Sequence, residues 1–195
     1  MGLGVGSFDT TLRFDGDREA DVEMTTVSMS AGWLINSEWT ARASVGVILD
    51  GTLETQAHRI HAVEPGGLVA LGAEYLALRG GGTTPFVDLS FFLGSSWTET
   101  KDPDSGDKTG YFAADARLGA RASWALDENL FPYVAARVFG GPVNWQWDDQ
   151  DVIGTDVHHY QLALGTAVQI GSLGLWVEWA GVGEQALGAG PSTSW

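Results

Sequence analysis

The chain has 195 residues, a formal net charge of −15, 44% hydrophobic residues, 27 glycines, nine tryptophans and no cysteine. With only two lysines, Lys101 and Lys108, it offers no basic stripe to neutralise phosphates, which excludes nucleic acid as a partner. The missing cysteines exclude a disulfide framework, thiol catalysis and a Cys-based zinc site, and no run approaches the ~20 apolar residues of a membrane helix.

The length suits one domain, residues 1–195. MGLGVGS has neither the basic start nor the apolar centre of a signal peptide, so the expectation is the mature part of an exported protein. Ten segments alternate apolar and polar residues with a period of two, the pattern of β-strands. They run 3–14, 22–36, 39–54, 67–79 and 85–99, then 110–126, 131–147, 156–170, 173–182 and, weakly, 186–195. The third, WTARASVGVILDGTLE, alternates over sixteen residues, where a soluble strand usually has five or six. One of its faces, from Trp39 through Val45, Val47 and Leu49 to Leu53, needs an apolar cover along most of its length. No helical periodicity is found.

Connections after segments two, four, six and eight are short, whereas DGDREAD, TQAHRIHAVEPG, TKDPDSGDKT and DDQDVIGT are longer and mostly acidic. The connection after segment nine, GEQ, breaks this alternation. Short turns at one end and longer loops at the other predict an all-β, single up-and-down antiparallel transmembrane β-barrel. It has ten strands, or eight if the ends are miscounted, and both termini at the periplasmic end.

A soluble ligand-binding barrel would alternate in the same way, so three further features weigh on the choice. The polar face interleaves small residues with arginine and acids, as a crowded interior requires. It sets Arg13, Arg42, Arg117, Arg121 and Arg137 against Asp9, Asp50, Glu54, Glu74, Asp88, Asp115 and Glu178. The predicted lumen network is Arg42, Asp50, Glu74, Asp88, Asp115, Arg117, Arg121, Arg137 and Glu178. Tryptophans form two groups: Trp33, Trp39, Trp124 and Trp195 near the short turns, and Trp97, Trp145, Trp147 and Trp179 near the other end. Two such belts mark the interfaces of a membrane barrel. Finally, acids gather in the long loops. Lipid is therefore expected to cover Val45 and Val47. On these features the whole chain resembles the small bacterial outer-membrane β-barrel proteins, and Trp195 is similar to the terminal aromatic such proteins present to the insertion machinery. The resemblance implies residence in the outer membrane, with lipid and lipopolysaccharide as surroundings.

Candidate chemistry is sparse. Asp156 and His158, in GTDVHHYQ, would form an acid-oriented base at the rim. Ten-stranded omptin proteases carry an Asp/His pair there together with an aspartate pair, a role Asp102 and Asp104 would fill. His58 and His61, with the acids of DPDSGD, are the candidates for a rim metal. Diffuse divalent cations at the acidic loops are the alternative, and no other cofactor is implied. In FGGPV, Pro142 cannot donate to a ladder and predicts a bulge. The expected function is a non-catalytic barrel with a charged, largely plugged lumen and a structural or surface-interaction role, its acidic loops meeting an extracellular partner. The alternatives are a narrow porin-like pore, a rim enzyme (protease or lipid-modifying), and a soluble lipocalin-like carrier. The sequence leaves the oligomeric state open.

Overall fold

Thirteen antiparallel strands make up the computed structural model, which describes residues 1–15, 18–147 and 150–193. They are β1 (Gly2–Phe14), β2 (Arg18–Leu34), β3 (Trp39–Thr55), β4 (Ile60–Val63), β5 (Gly66–Leu78), β6 (Phe86–Lys101) and β7 (Lys108–Ser123). There follow β8 (Leu130–Gly140), β9 (Val143–Trp147), β10 (Gln150–Asp156), β11 (Tyr160–Ile170), β12 (Leu173–Gly183) and β13 (Gln185–Thr193). The ten predicted segments become thirteen strands in three places: β4, in a stretch expected as loop, stops before β5 at Glu64 and Pro65; segment 131–147 breaks into β8 and β9 at Gly141 and Pro142; and β10, also in an expected loop, stops before β11 at residues 157–159. At the second break a Cβ on Gly141 would run into the Ala114 carbonyl. The Ala114 N–H donates to the Pro142 carbonyl at 3.0 Å, so the pairing resumes past the proline.

Pairing closes the sheet twice. At the short-turn end β1, β2, β3, β5, β6, β7, β8, β11, β12 and β13 form a ring of ten, with β13 returning to β1. At the other end β1, β2, β3, β4, β6, β7, β9 and β10 form a ring of eight, and β10 meets β1 at Leu12↔Asp156. The change in number arises because β12, with 11 residues, and β13, with nine, are long enough only to cross a bilayer, whereas β2 and β3 have 17 each. The β12–β13 hairpin therefore ends within the wall, at the sequence GEQ. Gly183 turns there with φ 81°, and the Glu184 N–H donates to the Tyr160 carbonyl at 3.1 Å.

The two rings have opposite polarity. Along β1 the outward side chains are Leu3 and Val5, then Asp9 and Arg13, while the inward ones are Gly2, Gly4 and Gly6, then Phe8, Leu12 and Phe14. On β2 the outward Val27 and Met29 lie in the wide ring, and the inward, buried Val22 and Met24 lie in the narrow one. The wide ring thus has an apolar exterior fit for lipid. The narrow ring has an apolar interior and a largely polar exterior, with Ile60 and Ile153 as exposed exceptions, which is nearer to a soluble barrel. Leu12, Phe14, Val22, Met24, Leu53 and Trp145 belong to one buried cluster that fills it. Eight strands leave just enough interior for side chains to do this. β6 contributes Thr100, which accepts a hydrogen bond from the Trp145 indole at 2.8 Å.

This corrects several expectations. On β3, Thr25 pairs with Asp50 and Thr26 with Ile48, so Leu49 is an extra residue and the faces exchange beyond it. Leu53 is consequently buried in the core, while Asp50 and Glu54 face outward and do not belong to the lumen. Asp9 and Arg13 also face outward. The acid-rich stretches expected as loops are largely wall, since β2 begins at Arg18 and β4 and β10 lie within two of them. Trp33, Trp39, Trp97 and Trp179 are exposed on the outside, but Trp145 is a core residue. Trp195, Asp17, Asp148 and Asp149 lie outside the described residues, as does the Trp147 side chain.

Losses of different origin are expected at two residues of β3. Val47→Arg, on the lipid face, should lower the stability of the inserted barrel by about 2–4 kcal/mol if it lies near the midplane. Leu53→Ala, in the core, should cost about 2–5 kcal/mol. Urea unfolding in lipid vesicles and in detergent micelles separates them: the loss from Val47→Arg should depend on the bilayer and that from Leu53→Ala should not. A Leu53→Ala variant as stable as the parent would refute the inward facing.

Candidate functional site

Below the apolar core, four guanidinium groups line the wide ring, each set there by strand alternation. Asp88 and Arg121 are directly paired residues of β6 and β7, and the Arg121 Nη2 donates to the Asp88 carboxylate at 3.0 Å. Arg137 on β8 donates to both oxygens of Glu178 on β12, at 2.7 and 2.8 Å, and to Gln161 on β11 at 2.6 Å. The Arg42 Nε lies 2.7 Å from the Glu74 carboxylate but is not aligned as a hydrogen bond, so this contact is one of charge. Arg117 stands 3.6 Å from Asp115 and 3.5 Å from Glu184, with its guanidinium 4.6 Å above the Phe139 ring. Such partners offset the desolvation that an isolated interior charge would suffer. Around these groups lies a void of about 100 Å³, touched by Glu74, Asp88, Ser90, Arg117, Arg121 and Arg137.

Two participants went unrecognised in the sequence. Gln161 links Arg137 to Glu184, donating to the Glu184 carboxylate at 3.0 Å. Glu184 is buried although it is the turn residue of a hairpin. Its signal was the GEQ connection, too short for its place in the alternation.

The other candidates are dispersed. Asp156 accepts a hydrogen bond from the Thr10 hydroxyl at 2.8 Å. His158 is exposed, edge-on to Tyr160 at 6.1 Å. The break at 157–159 separates the pair, and strand alternation, which would have put both on one face, does not operate across it. Asp102 and Asp104 share Arg59, at 2.8 and 3.4 Å. His58, at φ 58°, bonds Glu54 at 2.8 Å in the open. His61 lies against the Trp145 ring, 3.9 Å from Asp102. Among the described residues no group of three or more His, Asp or Glu is placed to hold a metal.

The Ser105 and Asp104 backbone N–H groups hold the Asp102 carboxyl below its ordinary range, with Arg59 assisting. Across the same tip, hydrogen bonds to Glu64 and Glu99 push the Lys108 ammonium up.

No family model and no curated protein matches the chain. Solved structures do. The β-domain of the Bordetella autotransporter BrkA is 15% identical with a TM-score of 0.53, over 100% of this chain and 99% of that one. The transport unit of the Escherichia coli autotransporter AIDA-I is 11% identical with a TM-score of 0.50, over 100% and 89%. A channel of the Pseudomonas putida outer membrane is 11% identical with a TM-score of 0.48, over 98% and 94%. The fold is that of the outer-membrane β-barrels. With the apolar belt on its wide ring, the chain is a barrel that crosses a membrane by strands.

Two outcomes are expected at these groups. Arg137→Ala should cost about 2 kcal/mol, less than the ~3–5 kcal/mol of a fully buried pair, because the two side chains retain 24% and 19% exposure. Asp50→Asn, outside, should stay within about 0.5 kcal/mol of the parent; equal losses on unfolding in detergent would mean that the lumen pair is wet. The second concerns the Asp102 carboxyl, whose titration by NMR should have its midpoint below the ordinary 3.8. Its contribution to holding the tip is then present above the unfolded value and lost as pH falls through the folded one. Arg59→Ala should leave most of the depression in place, since the backbone bonds are its larger cause; a midpoint restored to the ordinary value would contradict that ranking.

Proposed function

We propose that the protein is a non-catalytic, non-conducting resident of the bacterial outer membrane whose eight-stranded extension stands outside the bilayer as a rigid surface platform. The observation that carries this reading is the apolar core of the narrow ring. Leu12, Phe14, Met24, Leu53 and Trp145 are each 3% exposed or less, at the place where a solute would have to pass. A close-packed interior leaves no water path. The polar lumen below it is then a vestibule closed at its far end, and its ion pairs hold the wall rather than select ions.

The polar exterior of the extension supports a surface role. Asp9, Asp21, Glu23, Asp50 and Glu54 all point away from the core on three adjacent strands, toward cations, lipopolysaccharide or a partner outside the cell. Rim catalysis has less support, because the break at residues 157–159 parts Asp156 from His158 and Asp156 is engaged by the Thr10 hydroxyl.

Planar-bilayer recording of the refolded protein tests the reading. The parent should give no steady conductance, and the paired change Met24→Gly and Leu53→Gly, which empties the centre of the core, should give a leak. Steady, salt-dependent steps from the parent would overturn it in favour of a pore.

A further inference from the structure

Strand register leaves a gap among the charges of the lumen. Glu74 on β5, Ser90 on β6, Gly119 on β7 and Arg137 on β8 are directly paired in one row. Along β7, Arg117 and Arg121 flank Gly119 on the same face, since side chains two apart in a strand point the same way. Gly119, with no side chain, therefore stands among three guanidinium groups and a hydroxyl. The void of about 100 Å³ lies there, with Gly119 and Ser90 in its lining. That volume is about three times a water's share of the liquid, so an occupant must be small. Arg117 and Arg121 keep 31% and 39% exposure, so solutes reach it from the vestibule.

The groups around the gap keep hydrogen-bonding capacity of both kinds. Among the described residues Arg117 makes no hydrogen bond: Asp115 and Glu184 stand at 3.6 and 3.5 Å, and Phe139 covers one face of the guanidinium. Arg121 gives Nε and Nη2 to one oxygen of Asp88, which leaves its Nη1 and the other Asp88 oxygen for a further partner. Glu74 meets Arg42 by charge alone. The Ser90 hydroxyl points at the gap, 2.6 Å from where a Cβ on Gly119 would stand. A simple anion here would confront Glu74 and Asp88, and a simple cation would confront the arginines. A molecule carrying both charges satisfies donors and acceptors together.

We propose that the vestibule binds one small zwitterion of the α-amino-acid class, of the size of glycine or alanine. Its carboxylate lies toward Arg117 and the Ser90 hydroxyl, and its ammonium toward Glu74 and Asp88. The site is independent of the surface role and of whether the bore conducts.

Saturation-transfer NMR on the refolded full chain in deuterated detergent tests this, with glycine, alanine, acetate and methylammonium as probes. Glycine and alanine should bind with a Kd on the order of 1 mM. Acetate and methylammonium should each bind about tenfold more weakly, as the loss of one charged hydrogen bond predicts. Leucine, too large for the void, should not compete with glycine. Ser90→Leu, which fills the gap, should abolish the transfer to glycine. Gly119→Ala, whose Cβ displaces the Ser90 hydroxyl, serves if that variant fails to fold. Glu74→Gln should bind acetate as well as it binds glycine, and Asp50→Asn, on the outside, should behave as the parent. No transfer to glycine in the parent would overturn the proposal in favour of a void that holds water alone. Acetate bound as tightly as glycine by the parent, competition by leucine, or transfer unchanged by the filling variant would overturn it equally.

Discussion

Everything in this molecule depends on one constraint: inside hydrocarbon, no backbone N–H or carbonyl can be left without a partner. A barrel that changes from ten strands to eight along its axis must drop a hairpin without opening an edge. Here β10 leaves the line of its own wall and pairs with β1 from Leu12 to Phe14. The chain between them is stitched by the Val157 N–H to the Thr11 carbonyl at 2.9 Å. The hairpin top is tied in by Glu184, whose backbone meets Tyr160 and whose side chain turns inward to Gln161 and Arg117. A buried carboxylate at a turn is otherwise hard to justify; here it joins the lumen network to the step in the wall.

The polarity reversal follows from the same step. Ten strands enclose more space than side chains fill, and this interior is occupied by arginines, acids and small residues that tolerate water. Eight strands enclose a bore that side chains can close, and apolar ones close it best. The exterior reverses for a different reason: below the step the solvent is lipid, above it water. Val47 and Leu53 of one strand therefore face opposite ways for a single cause, the hydrophobic effect acting on two surroundings.

The all-β class, the membrane barrel and most wall positions were legible in the sequence, because a period of two survives wherever one face meets lipid. In the lumen, the pairs Arg42–Glu74, Asp88–Arg121, Asp115–Arg117 and Arg137–Glu178 are made among residues that alternation had put on the inner face. The second ring was not read, although its sign is visible in β1, where the apolar residues pass from odd positions (Leu3, Val5) to even ones (Phe8, Leu12, Phe14) with no turn between. In β3 the sign is erased. The extra residue at Leu49 reverses the faces at the point where the sequence pattern would have changed phase, so Val45, Val47 and Leu53 look like one stripe. Asp156 and His158 failed as a pair for a related reason, since spacing by two means a shared face only while the strand continues.

The ring is closed by the first strand against the last, with Gly2 facing Ser192. That contact has nearly the longest separation the chain permits, and pairings of long separation form slowly, because the entropy of loop closure is lost before any bond is gained. Until β13 arrives, β1 presents a bare edge carrying Leu3 and Val5, open to pairing with any other extended chain. The glycines that make β1 thin enough to line the lumen also give that edge few side chains with which to discourage such encounters. The interval before closure is thus the vulnerable one, and keeping the β1 edge covered until β13 arrives would protect the chain through it more than any change to the finished core.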